Sequence, residues 1–193
     1  MIAAKTVKAV FLDRDGVINV DVGFTHKNHQ LEFIPRSLDA LKLLAQSNYM
    51  LFIITNQPVI GRGICTEQEY LDFQNYMIKR IEEAGGRIDK FYYCPHHPKH
   101  GIGKYLKDCK CRKPKPGLLL QAEKEFNIDL KKSFMIGDKR SDIKAGQAAG
   151  CTSILVKTGY GAQGGDTDTD FKPDHISEDL FDAVMLILKQ STK

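Results

Sequence analysis

Apolar positions along the chain follow two alternating rhythms. Short, nearly unbroken apolar runs occur at VKAVFL (7–12), MLFIIT (50–55), FYY (91–93), SFMIG (133–137) and TSILV (152–156). They read as strands buried on both faces, the pattern of a parallel sheet. Between them, SLDALKLLAQ (37–46), TEQEYLDFQNYMIKRIEEA (66–84), GLLLQAEKEF (117–126) and SDIKAGQAA (141–149) carry apolar residues at helical spacing. Thr66 followed by Glu69 forms a capping box that marks one helix start. Ser177 predicts the cap of a final helix running to Gln190. The alternation predicts an α/β fold, a doubly wound parallel sheet, with residues 1–193 forming a single domain.

Sheets of this kind place their chemistry beyond the carboxyl ends of the strands. The first strand is followed by DRDG, which sets Asp13 and Asp15 two residues apart, before Gly16 allows a sharp turn. The second is followed by TNQ, where Thr55, Asn56 and Gln57 offer a hydroxyl and two amides to an oxyanion. The fourth is followed by GDKRSD, with Asp138 and Asp142 flanking Lys139. Alone, a DxD or a GD at a strand end is a polar turn. Together, the three ends gather carboxylates, a hydroxyl and lysines at one edge, a donor set suited to Mg²⁺ and a phosphate oxygen.

A second cluster has different chemistry. Cys94-x-His96 is separated by twelve residues from Cys109-x-Cys111. Four thiolate and imidazole ligands fit tetrahedral Zn²⁺ and leave no open position for catalysis, so the loop 94–111 reads as a structural zinc site. His97 is an alternative to His96, and His100 is spare. Arg112 and Lys113 follow the last ligand directly, so a clamp on Cys111 would fix them too.

Composition narrows the class. The chain has 193 residues, no apolar run long enough to span a bilayer and no signal-peptide pattern at MIAAKTVKAVFLDRDG, which predicts a cytoplasmic location. A formal charge of +4 suits an anionic substrate and falls short of a nucleic-acid footprint. The rival class, a zinc-containing nucleic-acid-binding module using residues 104–115, would set four carboxylates against a phosphate backbone. GYGAQG (159–164) follows a strand but does not open a helix, so it reads as a flexible loop, not a dinucleotide fingerprint. DTDTDF (166–171) lacks the glycine and the final glutamate of a calcium loop. Cys65 precedes a capped helix and reads as a structural thiol, with a reactive thiol as the alternative.

FLDRDG, ITNQ, CRKPKPG and MIGDKRSD together resemble the four motifs of the haloacid dehalogenase superfamily of phosphotransferases, over roughly residues 7–156. The resemblance implies Asp13 as nucleophile and Asp15 as general acid and base, with Thr55 and Lys113 holding the phosphoryl group. It implies Mg²⁺ bound by Asp13, the Asp15 backbone carbonyl and Asp138, with Asp142 steadying the site from behind.

Within the superfamily, DRDGVINVDVGFTHK, TNQ with IGRG, CPHHP and CRKPKPG are most similar to the heptose bisphosphate 7-phosphatases. That likeness implies a sheet domain without a large cap, acting on a small phosphorylated sugar for nucleotide-activated heptose and lipopolysaccharide synthesis, and the compact fold is expected to act as a monomer. It implies substrate contacts from Asp21, Val22, Gly23, Phe24, Asn56, Gln57, Pro58, Arg112 and Lys139. Histidinol-phosphate phosphatases share the motifs, but usually with a shorter gap before the second Cys pair. One departure stands out: Pro58 and Val59 replace the usual Ser-Gly, and proline removes a backbone donor.

Overall fold

A computed structural model describes residues 6–163 and 172–191. Six parallel strands form one sheet: β1 (Lys8–Leu12), β2 (Tyr49–Asn56), β3 (Lys90–Cys94), β4 (Phe134–Gly137), β5 (Thr152–Val156) and β6 (His175–Ser177). Their order is β3-β2-β1-β4-β5-β6. β1 is therefore flanked by β2 on one side and β4 on the other, with Leu12 opposite both Ile53 and Ile136. The strand order reverses there, which opens a crevice beyond the strand ends.

The helices are α1 (Ser37–Ala45), α2 (Pro58–Gly61), α3 (Glu67–Glu83), α4 (Gly117–Phe126), α5 (Arg140–Ala149) and α6 (Leu180–Ser191). Side chains alternate along β1, so Val10 and Leu12 face one layer while Ala9 and Phe11 face the other. The first layer takes Leu41 and Leu44 of α1, Met77 and Ile81 of α3, and Val184 and Ile187 of α6. The second takes Leu118, Leu119 and Ala122 of α4 and Ala145 of α5. Burying each large apolar side chain contributes roughly 1.5–3 kcal/mol. Two such layers hold the central strands rigidly, and with them whatever the strands carry at their ends.

The capping box is present: the Glu69 N–H donates to Thr66 Oγ1 at 3.1 Å, and the Thr66 N–H to Glu69 Oε2 at 2.7 Å. Ser177, in contrast, ends β6 and caps nothing. The cap of α6 is Asp179, whose Oδ1 accepts the Asp182 N–H at 2.9 Å. β6 has no apolar run to announce it, since it is a three-residue edge strand with Ile176 exposed. The segment expected to be a flexible loop is a 3-10 turn at Gly159–Gln163, tied to the strand ends. Gly164 and the DTDTDF stretch lie outside the described residues.

Candidate active site

β1 delivers Asp13 to the crevice from a fixed backbone: its N–H donates to the Ile136 carbonyl at 2.9 Å, extending the β1–β4 ladder. Gly16 then turns the chain with a φ of +90°. A Cβ on Gly16 would lie 2.2 Å from Asp138 Oδ2, and one on Gly159 2.3 Å from the same atom. Both positions therefore exclude a side chain. The Tyr160 N–H donates to that Oδ2 at 2.9 Å. Asp138 Oδ1, in contrast, is buried without a hydrogen-bond partner.

Carboxylate oxygens of Asp13, Asp138 and Asp142 lie within 4.8 Å of one another. Burial, then the charge of Asp13, pushes the Asp138 carboxyl up to about 8. Burial, then Asp142, pushes Asp13 up to about 6 against the opposing pull of Lys113. Crowded buried carboxylates, with Asp138 Oδ1 and Asp142 Oδ1 both lacking a hydrogen-bond partner, fit a hard divalent cation. Asp142 is the least available donor. Its Oδ1 lies 2.7 Å from Lys113 Nζ, and its Oδ2 accepts the Lys139 N–H at 3.0 Å.

These raised values carry a consequence. Above the unfolded value of 3.8, the metal-free folded protein holds protons on Asp13 and Asp138 that the unfolded chain has released. Their contribution to stability is complete below that pH and lost as pH rises through about 6 and about 8. A divalent cation bound there would have to displace those protons. We expect the rise in melting temperature on adding Mg²⁺ to grow between pH ~5 and pH ~8. Thermal melts with and without the ion test this; a constant increment across the range contradicts it.

Lys113 is buried beneath the crevice, with Nζ 2.8 Å from Asp13 Oδ1 and donating to the Ile54 carbonyl at 2.7 Å. Burial works against its ammonium, but Asp13 and Asp142 outweigh that and hold its pKa above the ordinary lysine range. Asn56 fixes the backbone of this lysine: its Nδ2 donates to the Lys113 carbonyl at 3.1 Å and its Oδ1 accepts the Lys113 N–H at 3.0 Å. Gln57 Nε2 donates to Thr55 Oγ1 at 2.9 Å and to Asp15 Oδ2 at 2.8 Å. Pro58 begins α2, where a missing N–H leaves no helical hydrogen bond unmade, so the departure from Ser-Gly does not disturb the local backbone.

Asp15 is gripped from several sides. Arg14 Nη2 donates to its Oδ2 at 2.8 Å, and Asn19 Nδ2 to its Oδ1 at 2.9 Å. Burial alone would raise this carboxyl; Arg14 with Asn19 and Gln57 outweighs burial and holds it below the usual carboxylate range. Arg14 is fully buried, with its guanidinium carbon 5.6 Å from the Tyr70 ring centre and 5.1 Å from that of Phe73.

A cavity of about 410 Å³ opens above this floor. Asp13, Asp15, Thr55, Gln57, Pro58, Lys113 and Asp142 line it, as do Asp21, Gly23, Phe24, Asn56, Arg112 and Lys139. Val22 is outside that lining and exposed, and Asp138 lies behind it. Lys139 Nζ bridges to Asp21 Oδ2 at 3.0 Å. Sequence reasoning missed Arg14, Asn19 and Tyr160. Tyr160 lines the cavity, and its ring centre lies 4.3 Å from Lys139 Nζ. Its position just past β5, on the same sheet edge, was the available signal.

The second cluster also assembles. Cys94 ends β3, opposite Asn56 of β2. Its Sγ lies 3.4 Å from that of Cys109 and 3.2 Å from that of Cys111; Cys109 and Cys111 Sγ are 3.1 Å apart. His96 Nδ1 is 3.7 Å from Cys94 Sγ and 3.4 Å from Cys111 Sγ. Such separations approach the edges of a tetrahedron with Zn–S of about 2.3 Å. His97 is occupied otherwise, its Nδ1 accepting the N–H groups of Lys99 and His100, both at 3.1 Å. Arg112 Nη1 donates to the His96 carbonyl at 3.1 Å, so the cluster and the cavity wall share one loop. Cys65 is buried, and burial followed by Glu69 raises its thiol pKa, as befits a structural thiol.

A family model described as HAD-hydrolase-like matches residues 110–183. The chain is 47% identical over 152 residues to the D-glycero-beta-D-manno-heptose-1,7-bisphosphate 7-phosphatase of Vibrio cholerae serotype O1, covering 78% of this chain and 82% of the relative. With the protein of the same name from Haemophilus influenzae it shares 44% identity over 171 residues, 88% of this chain and 92% of the relative. Among solved structures, D,D-heptose 1,7-bisphosphate phosphatase from B. bronchiseptica, complexed with magnesium and phosphate, superposes with a TM-score of 0.82 at 30% identity. That match covers 95% of this chain and 99% of the other. The corresponding phosphatase from Burkholderia thailandensis gives 0.66 at 28%, covering 94% and 98%.

Proposed function

Because the chain belongs to the family of D-glycero-beta-D-manno-heptose-1,7-bisphosphate 7-phosphatases, within the haloacid dehalogenase-like hydrolases, we propose that it removes the C7 phosphate from the β anomer of that sugar. The observation that carries the reading is the convergence of Asp13, Asp138 and Lys113 at the floor of a cavity whose wall holds Arg112 and Lys139. Histidinol phosphate, the competing substrate, has one phosphate and gives a second basic wall nothing to bind.

Asp13 attacks phosphorus in line and is transiently phosphorylated. Its carboxylate and the phosphate dianion repel each other, so the approach needs positive charge where the equatorial oxygens spread. Lys113 supplies one such charge from 2.8 Å, and the Thr55 hydroxyl a further donor. Asp13, the Asp15 backbone carbonyl and Asp138 would hold Mg²⁺, which when bound neutralises much of the remaining phosphate charge.

Asp15 protonates the departing C7 oxygen and later deprotonates the water that cleaves the acyl phosphate. At rest it is in the base form. An approaching dianion raises its pKa by like-charge repulsion and so favours uptake of the proton it must give. Arg14, Asn19 and Gln57 hold its direction throughout. Zinc at Cys94, His96, Cys109 and Cys111 would order the loop that carries Arg112 and Lys113.

The test compares phosphate release from the β and α heptose bisphosphates and from histidinol phosphate. The β anomer should give the highest kcat/KM, exceeding histidinol phosphate by roughly 100-fold or more, since a site built for a polar group discriminates strongly against its absence. Faster turnover of histidinol phosphate overturns the assignment.

A further inference from the structure

Arg14 presents Asp15 with a fork. Its Nη2 donates to Asp15 Oδ1 at 3.0 Å and to Oδ2 at 2.8 Å, and its Nε donates to Oδ2 at 3.1 Å. One guanidinium thus engages both carboxylate oxygens. The same Nη2 donates to the Thr25 carbonyl at 2.7 Å, one residue beyond Phe24 of the cavity wall. Tyr70 and Phe73 of α3, both buried, cover the guanidinium from the core. Loop, helix and carboxylate together hold it in place.

Stability alone is a weak reason for this cation. Arg14 is fully buried, and its Nη1 has no hydrogen-bond partner. Replacing a buried ion pair by well-packed apolar side chains is often neutral or stabilising. The chemical consequence is more specific. Among the described residues every hydrogen-bond partner of the Asp15 carboxylate is a donor: Arg14, Asn19 Nδ2 and Gln57 Nε2. A carboxyl that has taken up a proton must itself donate, and a guanidinium has no acceptor to offer it. The one open direction is the cavity that Asp15 lines.

We propose that Arg14 is a positioning residue for proton transfer, which makes the protein side of Asp15 all donor and so directs the Asp15 proton into the cavity, onto the leaving oxygen. The proposal rests on the phosphatase reading above and adds the residue that makes the acid effective. As the bond from phosphorus to the leaving oxygen breaks, that oxygen keeps the electron pair and takes the proton from Asp15. Asp15 is left as the carboxylate that Arg14 pairs, so the ion pair is strongest after the transfer. The low resting pKa of Asp15, held down by Arg14 against burial, agrees in direction.

The test uses the full chain with Mg²⁺ and a series of ring-substituted phenyl phosphates, which differ in the basicity of the leaving oxygen and little in size. Its readout is the slope of log kcat/KM against leaving-group pKa, which does not depend on the fraction of enzyme correctly folded. The unmodified protein should give a shallow slope, because the leaving oxygen departs with a proton. In Arg14→Met the slope should steepen, so that the preference for 4-nitrophenyl over phenyl phosphate rises roughly 10–100-fold, on the scale of a general acid's contribution. Arg14→Lys keeps the charge without the fork and should fall between the two. If neither variant folds, Phe73→Leu, which loosens the cover and leaves the ion pair, should steepen the slope in the same direction. An unchanged slope, whatever the overall rate, gives Arg14 a structural role and overturns the proposal while the phosphatase reading stands. A steep slope in the unmodified protein removes Asp15 from the acid's role, and the proposal fails with it; release of phosphate from no ester at all defeats the phosphatase reading.

Discussion

Asp13→Asn is expected to yield a folded protein that releases phosphate roughly 10⁴-fold more slowly or worse, the scale of losing a covalent nucleophile. The amide is nearly the same size as the carboxylate, so the cavity keeps its shape. Lys113 keeps Asp142 at 2.7 Å and the Ile54 carbonyl at 2.7 Å, so its ammonium is not left unpaired. One of three crowded carboxylates disappears, and with it the Asp13 charge that adds to burial in raising Asp138. The melting temperature should therefore hold or rise while turnover vanishes. Phosphate release, a thermal melt and beryllium fluoride trapping on the unmodified protein decide the matter together. The trap should sit on Asp13, and the variant should take none. Turnover above about one per cent would remove Asp13 from the nucleophile's role.

A chelator that strips the zinc proposed for the cysteine loop is expected to have the second large effect. The loop between Cys94 and Cys111 has only 3-10 structure, at Gly103–Tyr105, and no helix or strand of its own. Structural zinc in small peptides contributes about 10–16 kcal/mol, comparable to the whole net stability of a domain. Without it the loop has little to set against its conformational entropy, and Arg112 and Lys113 lose their fixed approach. Lys113 leaving the floor would strand Asp13 and Asp142 together, buried and of like charge. The layer formed by α1, α3 and α6 takes nothing from this loop, so most helical signal should persist. Activity should fall at least roughly 100-fold under a strong chelator, well before helical circular dichroism collapses, and return with added zinc. Parallel loss of both signals, or metal analysis finding no zinc, would refute the clamp.

The apolar rhythm was enough to place β1 to β5 and five of the six helices, because those segments are buried and their periods follow from which side faces the sheet. β6 and α2 escaped for the opposite reason. One is a short exposed edge and the other a four-residue turn begun by proline, and neither has room for a period to develop. Asp13, Thr55, Lys113 and Asp138 were legible because strand ends and a cysteine spacing locate them. Arg14 and Tyr160 were not. Arg14 is defined by Tyr70 and Phe73 of α3, and Tyr160 by contact with Asp138. Partners so distant in the chain leave no mark on local pattern. Ser177 shows the converse error: a good capping residue was given a helix start that Asp179, two residues later, occupies.

Gly16 and Gly159 pack close against one oxygen of Asp138, and the Tyr160 N–H donates to the same atom, so that carboxylate is held on several sides. It is oriented before any ion arrives, so coordination would cost little side-chain entropy at this ligand. The pace of metal exchange should then be governed by how quickly the ion sheds its water, with the protein a stationary mould.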